Sequence, residues 1–168
     1  MDFIVELLDR HHDRSQFDCG SLPLNEYLTK YAYQNQKNNI SKTFVALNSE
    51  EIKTKEICGF FTLSSGKIHF EQLPNSIKHP KYPVLIARLA RLAVDKKYQG
   101  QGLGGYLLHA ALDKARAAAD VLGIFAIVVD AKDKEAVNFY QHYGFQYLNS
   151  ASNSLFLPIH VIRNLSSI

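Results

Sequence analysis

Residues 98–112, YQGQGLGGYLLHAAL, place Gly100, Gly102, Gly104 and Gly105 within six positions and then run straight into an apolar, helix-forming stretch. Glycine weakens any regular element it occupies, so a cluster of this density implies that something must approach bare backbone. A long apolar run precedes the glycines and a helical pattern comes after them. That order leaves unpaired N–H groups at the positive end of a helix dipole, which is an anion site built without charged side chains. A dinucleotide-binding turn is one candidate, but this loop lies in mid-chain after a long central strand. Only Asp120 offers a carboxylate near the distance expected of a ribose ligand. A P-loop is excluded, because no Gly-Lys-Ser/Thr comes next.

The elements that must hold this loop can be read on either side of it. Residues 2–8 form a short strand. SLPLNEYLTKYAYQNQ reads as one helix, with Ser21 as cap, Pro23 in the first turn, and Leu24, Tyr27, Leu28 and Tyr31 on a single face. Residues 43–47 and 56–70 are β-rich and 48–55 connect them as a hairpin. A loop with Pro74, Pro80 and Pro83 leads to VLIARLARLAV, 84–94, a buried central strand. Arg88 and Arg91 are three apart, so an unbroken strand sends them to opposite faces, and a bulge between them would re-aim one. Leu103, Leu107, Ala110, Ala111 and Ala115 give a helical stripe ending near Ala119. A second buried strand covers 123–131, and DKEAVNFYQHYG is a helix capped by Asp133 or its neighbour and stopped by Gly144. FQYL and SLFLPIHVI close the chain with strand character. The expectation is a single α/β domain over 1–168 on a mixed sheet flanked by helices.

Composition narrows the class. The 168 residues are 46% hydrophobic and 21% charged, which suits a soluble globular protein with a sizeable core. No apolar stretch approaches the roughly 18–20 residues of a membrane span, and the start lacks a basic-then-apolar export signal, so a cytoplasmic location is expected. Cys19 and Cys58 are too few for a disulfide framework or a zinc site, and no metal is expected. Cys19 reads as a small buried residue at the turn before the first helix rather than as a nucleophile. Net charge is only +3, yet residues 27–49, 72–94 and 136–168 contain no acid. The first two carry Lys30, Lys37, Lys42, Lys78, Lys81, Arg88 and Arg91. Such segments make either a face for a polyanion or an ordinary solvated surface.

RLAVDKKYQGQGLGGYLL resembles the acetyl-CoA signature of the GNAT N-acetyltransferases, Gln/Arg-x-x-Gly-x-Gly/Ala, here Gln99, Gly102 and Gly104. AVNFYQHYGF is similar to the later motif of the same family, a helix carrying Phe-Tyr before a Gly-Phe turn. The two stand about 40 residues apart in the family's order. The resemblance implies the GNAT fold, with the CoA pyrophosphate on Gln99, Gly100, Gln101, Gly102, Leu103, Gly104 and Gly105. It also implies backbone N–H groups of Leu92, Ala93 and Val94 serving the thioester oxygen where the central strand splays from Val129 and Asp130. Tyr140 matches the proton donor to sulfur. A phenol suits that task, since its reference pKa near 10 exceeds that of a thiol at about 8.5. Packing beneath the cofactor is the plainer alternative for Tyr140. Phe139, Tyr143, Phe145 and Tyr147 read as core or rim. The asparagine usual seven residues before the tyrosine is Asp133 here, a helix cap that cannot donate to pantetheine.

Many relatives carry a carboxylate near the central strand to deprotonate the amine, and VLIARLARLAV has none. An α-amine is then the easier substrate, being roughly 500-fold richer than lysine in its neutral form near neutrality. His109 and His142 or water relays could assist. FDCGSLPLNEYLTKYAYQNQ extends the likeness to the GNAT toxins of bacterial toxin–antitoxin pairs, which share Phe-x-Cys-Gly, Leu-Asn-x-Tyr/Phe-Leu and Gln-Asn. That resemblance implies acetylation of the α-amine of aminoacyl-tRNA, a block of translation, a ribbon–helix–helix antitoxin and a homodimer. It casts Lys30, Lys37, Arg88 and Arg91 as contacts to the RNA backbone, with structural ion pairs as the alternative for the two arginines. Two rivals remain open: an acetyltransferase acting on a small amine or a protein, and a non-catalytic acyl-CoA sensor.

Overall fold

The structure is a computed structural model that describes residues 2–78, 81–148 and 153–166, so Pro80 of the expected loop lies outside the described residues. The strands are β1 (Phe3–Leu7), β2 (Lys42–Asn48), β3 (Gly59–Ile68), β4 (Val84–Val94), β5 (Ala126–Asp130), β6 (Gln146–Tyr147) and β7 (Ser154–Pro158). The helices are α1 (Leu22–Glu26), α2 (Ala32–Lys37), α3 (Leu103–Ala119), α4 (Lys134–His142) and α5 (Ile159–Ser166). The seven strands form one sheet in the order β1-β2-β3-β4-β5-β7-β6. Its β4–β5 pair is parallel, with Ala87, Arg88 and Leu89 opposite Ile127, Val128 and Val129, while β1–β2, β2–β3, β5–β7 and β6–β7 are antiparallel. The mixed α/β sheet expected from the sequence is present.

Two compact units make up the chain. Met1–Ser64 with Ala90–Ala111 packs Leu8, Phe17, Tyr27, Leu28 and Phe60 around Ala93. Ser65–Leu89 with Leu112–Ile168 has its own core of Ile68, Ile86, Val128, Leu148 and Phe156.

Two elements depart from the sequence reading. The first helix is interrupted: Tyr27–Tyr31 is a π-turn between α1 and α2, in which the Ala32 N–H reaches back five residues to the Tyr27 carbonyl. One extra residue rotates the downstream side chains by about 100°. Tyr27, Leu28 and Ala32 are therefore buried, and Tyr31, expected on the apolar face, is 55% exposed. The chain end is not all strand. β7 stops at Pro158 and α5 begins at Ile159, whose side chain is buried together with Ile162 one helical turn on. Branched residues in HVI imitate a strand, but burial three apart is a helical period.

α3 matches its predicted end at Ala119 and buries Leu103, Leu107, Ala111 and Ala115 as expected, with Leu108 and Leu112 added, while Ala110 of the expected stripe is only half-buried. Gly59 of β3 determines how closely it packs. A Cβ there would lie 2.8 Å from Leu107 Cδ1 and 3.0 Å from the Ala93 carbonyl. Only a bare Cα admits the helix at that distance.

Candidate active site

The glycine loop is a left-handed turn leading into α3. Gly100 and Gly102 have φ of 78° and 82°, a region that L side chains rarely enter. A Cβ on either would meet nothing within 4 Å. The glycines are thus required by backbone conformation, and the space beside them is open. The Tyr106 N–H bonds to the Gly102 carbonyl at 3.1 Å, which makes Gly102 the cap of α3. Helix geometry then leaves the N–H groups of Leu103, Gly104 and Gly105 without intrahelical acceptors. Leu103 anchors this start, since its side chain is buried.

The nearby lysines are engaged elsewhere. Lys96 pairs with Asp18 at 3.4 Å and Lys97 with Glu56 at 2.6 Å, and Glu56 holds the Lys97 ammonium above its ordinary pKa. An anion at this loop would be met by main-chain N–H groups and the α3 dipole. Those features fit a diphosphate. Gln99 and Gln101 are different. The Gln99 side chain donates to the Val94 carbonyl at 2.8 Å and the Cys19 carbonyl at 3.2 Å, and Gln101 donates to the Lys97 carbonyl at 3.2 Å. Both brace the turn.

Bracing extends to residues that sequence reasoning missed. Asp95 is buried, and its carboxylate accepts the N–H of Asp18 at 3.0 Å and of Lys97 at 2.9 Å. The Lys96 N–H returns to the Asp18 carbonyl at 2.9 Å. Asp18 in turn accepts from the Gly20 N–H at 2.9 Å and the Asn25 amide at 3.0 Å, while Asn25 accepts from the Cys19 N–H at 2.9 Å. Hydrogen bonds to Gly20 and Asn25 hold the Asp18 carboxyl below its usual range. The Phe-x-Cys-Gly and Leu-Asn segments therefore form a clasp on residues 94–99. Asp-x-Gly is an Asx-turn signal, and it was the available clue. Cys19 sits in this turn against the apolar core, as expected, but is half-buried rather than buried.

Leu92, Ala93 and Val94 lie beyond the part of β4 that pairs with β5, Ala87–Leu89. Ala93 is buried, and the Gln99 amide ties Val94 to the loop. The two arginines of β4 part company. Arg88 makes an ion pair with Asp130 at 2.9 Å, whose other oxygen takes the Ser154 hydroxyl. Arg91 lies over the Tyr27 ring, 3.6 Å from its centroid, and among the described residues it forms no ion pair. Of the helix lysines, Lys30 pairs with Glu26 at 2.9 Å, and Lys37 lies 5.9 Å from the Tyr33 ring centroid.

Tyr140 belongs to the second unit, on α4. The helix starts where Asp133 accepts the Ala136 N–H at 2.8 Å, and it ends at Gly144 with φ of 95°. Tyr140 is 8% exposed, with Phe139 edge-on at 5.1 Å and Phe145 tilted at 5.4 Å. Burial pushes its phenol up to about 12. Among the described residues its hydroxyl has no hydrogen-bond partner, which leaves a proton available to a ligand. Phe145 is core, while Tyr147 is exposed at the rim. His142 packs edge-on against Tyr143 at 5.2 Å.

Comparison with known proteins identifies the family. Residues 39–147 match the acetyltransferase (GNAT) domain family. A tRNA-acetylating toxin of Mycobacterium tuberculosis is 36% identical over 135 residues, covering 80% of this chain and 78% of that protein. The structure of AtaT complexed with acetyl-methionyl-tRNAfMet superposes with a TM-score of 0.90 at 29% identity, over 98% of this chain and 99% of that one. A tyrosine-to-phenylalanine variant of AtaT, bound to the C-terminus of the antitoxin AtaR and to acetyl-CoA, is similar with a TM-score of 0.82 at 27% identity, over 100% of both chains.

Proposed function

Since the chain belongs to the GNAT acetyltransferases, and within them to the tRNA-acetylating toxins, we propose that it transfers acetyl from acetyl-CoA to the α-amine of aminoacyl-tRNA. The reading treats residues 1–168 as one GNAT domain. The observation that carries it is the glycine turn before α3, with two left-handed glycines, open space at each Cβ and a clasp holding the turn in place.

Acetyl-CoA supplies an acetyl thioester and a diphosphate. The chain's own groups supply the rest. N–H groups from Gly100 to Gly105 bind the diphosphate, with the α3 dipole reinforcing them. Main-chain N–H groups of Leu92–Val94 stabilise negative charge developing on the carbonyl oxygen. Tyr140 holds a proton at its phenolic oxygen and passes it to the departing sulfur. A buried phenol near 12 keeps that proton throughout the working range.

RNA contacts come from the acid-free segments, through Lys30, Lys37, Arg88 and Arg91. Arg88 and Lys30 contribute less than the other two, because Asp130 and Glu26 neutralise them locally. The acetylated product can no longer donate its amine to peptide-bond formation, so translation stops. The reading is completed by a cytoplasmic homodimer silenced by a ribbon–helix–helix antitoxin, as the family resemblance implies; likeness to AtaT bound to the C-terminus of AtaR supports an antitoxin partner. Among the described residues no helix is long and apolar enough to cross a membrane.

The test is transfer of labelled acetyl groups to total charged tRNA, with the same tRNA deacylated beforehand as control. Label on charged tRNA alone supports the reading. Label on polyamines or peptides but never on charged tRNA overturns it, and cofactor binding without transfer to any amine favours a sensor.

A further inference from the structure

A neutral amine is needed for acyl transfer, and β4 offers no carboxylate to produce one. What the strand offers beside Leu92–Val94 is a fixed cation. Arg91 and Ala93 share a strand face, about 7 Å apart. The Arg91 guanidinium is held on the Tyr27 ring at 3.6 Å, well inside the range of a cation–π contact. The ring is itself immobilised. Tyr27 is 5% exposed, lies in the π-turn, and its hydroxyl meets Ser41 at 3.1 Å. Although burial opposes ionisation of this phenol, hydrogen bonds with Ser41, Asn35 and Thr62 and the Arg91 charge together hold it below its ordinary pKa.

Among the described residues no carboxylate pairs with that cation, and Asp130 of the neighbouring β5 is bonded to Arg88 at 2.9 Å. β4 and β3 contain no carboxylate, and the helical segment from α1 to α2 contains only Glu26, which is bonded to Lys30 at 2.9 Å. Asp95, just past the strand, is buried on the N–H groups of Asp18 and Lys97. The remaining charges of these elements, Lys30, Lys37, Lys67 and Arg88, are positive.

We propose that Arg91, besides any contact with RNA, acts electrostatically on the acceptor: its guanidinium disfavours the ammonium form and so keeps the α-amine neutral and nucleophilic. The inference rests on the acetyl carbonyl lying at Leu92–Val94, as in the proposed function. An amine attacking there comes within about 3–3.5 Å of the carbonyl carbon, hence within roughly 10 Å of the Arg91 Cα and on the order of 10–15 Å of its guanidinium. A fixed unit charge at that distance moves an amine pKa down by roughly one unit. The cation thereby replaces a general base, and this favours amines that are already weakly basic.

The first measurement needs no acetyl-CoA. Total tRNA charged with radiolabelled amino acids is bound by the protein between pH 6 and 8.5. The same pool, with its α-amines converted to hydroxyls by nitrous acid, serves as reference. If the bound amine is more acidic than the free one, affinity for the charged pool rises with pH relative to the reference, by up to about tenfold. Arg91→Gln and Arg91→Met, the latter keeping an apolar stem on Tyr27, abolish that rise, and Arg91→Lys retains most of it. In acetyl transfer, the acidic limb of the kcat profile moves up by about one pH unit in the two neutral variants and stays in place in Arg91→Lys. Equal pH dependence in wild type and both neutral variants, with a shallower salt slope at every pH, makes Arg91 an RNA contact only and overturns the inference while leaving the proposed function intact. If wild type acetylates no charged tRNA at all, the proposed function fails and this inference goes with it.

Discussion

The Asp95 carboxylate accepts the backbone N–H of Asp18 at 3.0 Å, joining positions 77 residues apart. Through this bond the segment before α1 holds the segment that opens the glycine turn. Asp95→Ala leaves two partly buried N–H groups, those of Asp18 and Lys97, without their acceptor. At about 0.5–1.5 kcal/mol for each hydrogen bond lost, a loss of roughly 1–3 kcal/mol is expected in chemical denaturation. In the surviving folded protein, KM for acetyl-CoA should rise more than kcat falls, because the turn is loosened and the chemistry is untouched. Steady-state kinetics at fixed tRNA separates the two.

Tyr140→Phe removes one hydroxyl and leaves the packing against Phe139 and Phe145 in place. Acetyl-CoA affinity should stay within about twofold while kcat drops by roughly 10²–10⁴, the usual worth of a positioned acid. Isothermal titration with a labelled-transfer assay reads both. Growth arrest on expression should be relieved in the same variant. A kcat within threefold of wild type would show the phenol to be packing alone.

The same phenol makes stability depend on pH in a defined direction. Its pKa is about 12 folded against about 10 unfolded, so the folded state retains the proton longer. The contribution is complete below pH 10 and declines as pH rises from 10 towards 12, by ~1.4 kcal/mol per unit. Tyr98, also raised to about 12 by burial and its bond with Cys58, acts in the same sense. Urea unfolding across pH 9–11.5 should show a shallower alkaline decline for Tyr140→Phe than for wild type.

Gly102→Ala forces a side chain into a left-handed backbone at φ of 82°. The conformational cost is on the order of 1–2 kcal/mol, yet the new methyl meets no protein atom within 4 Å. Acetyl-CoA affinity should therefore fall much further than stability, by tenfold or more. Titration of the cofactor beside a thermal melt tests this, and comparable losses in both would argue against a ligand in that space.

Gly59→Val tests the placement of α3. A Cβ 2.8 Å from Leu107 Cδ1 and 3.0 Å from the Ala93 carbonyl cannot be accommodated by a flexible side chain alone, because one contact is backbone. A destabilisation of about 2–3 kcal/mol is expected from overpacking, with weakened cofactor binding as α3 moves off β3. Gly59→Ala should show a smaller effect of the same sign.

Much of this protein was written in local pattern. Glycine spacing marked the turn because backbone conformation there is a property of a few adjacent residues, and α3 was legible to its last residue because its apolar stripe repeats with the helical period. Asp133 as the cap of α4 was equally local, and so was the family likeness carried by Gln99, Gly102, Gly104 and Tyr140. The tertiary structure decided what depends on partners distant along the chain. It gave Arg88 a carboxylate and Arg91 an aromatic face, although both are arginines on one strand. It turned Gln99 into a brace and Asp95 into a hub, and it required Gly59 to be bare. The π-turn that exposes Tyr31 belongs with these, as does the conversion of the last strand-like stretch into α5. Periodicity records which face a residue presents, but charge pairing, close approach and helix register are settled by the neighbour that folding brings to it.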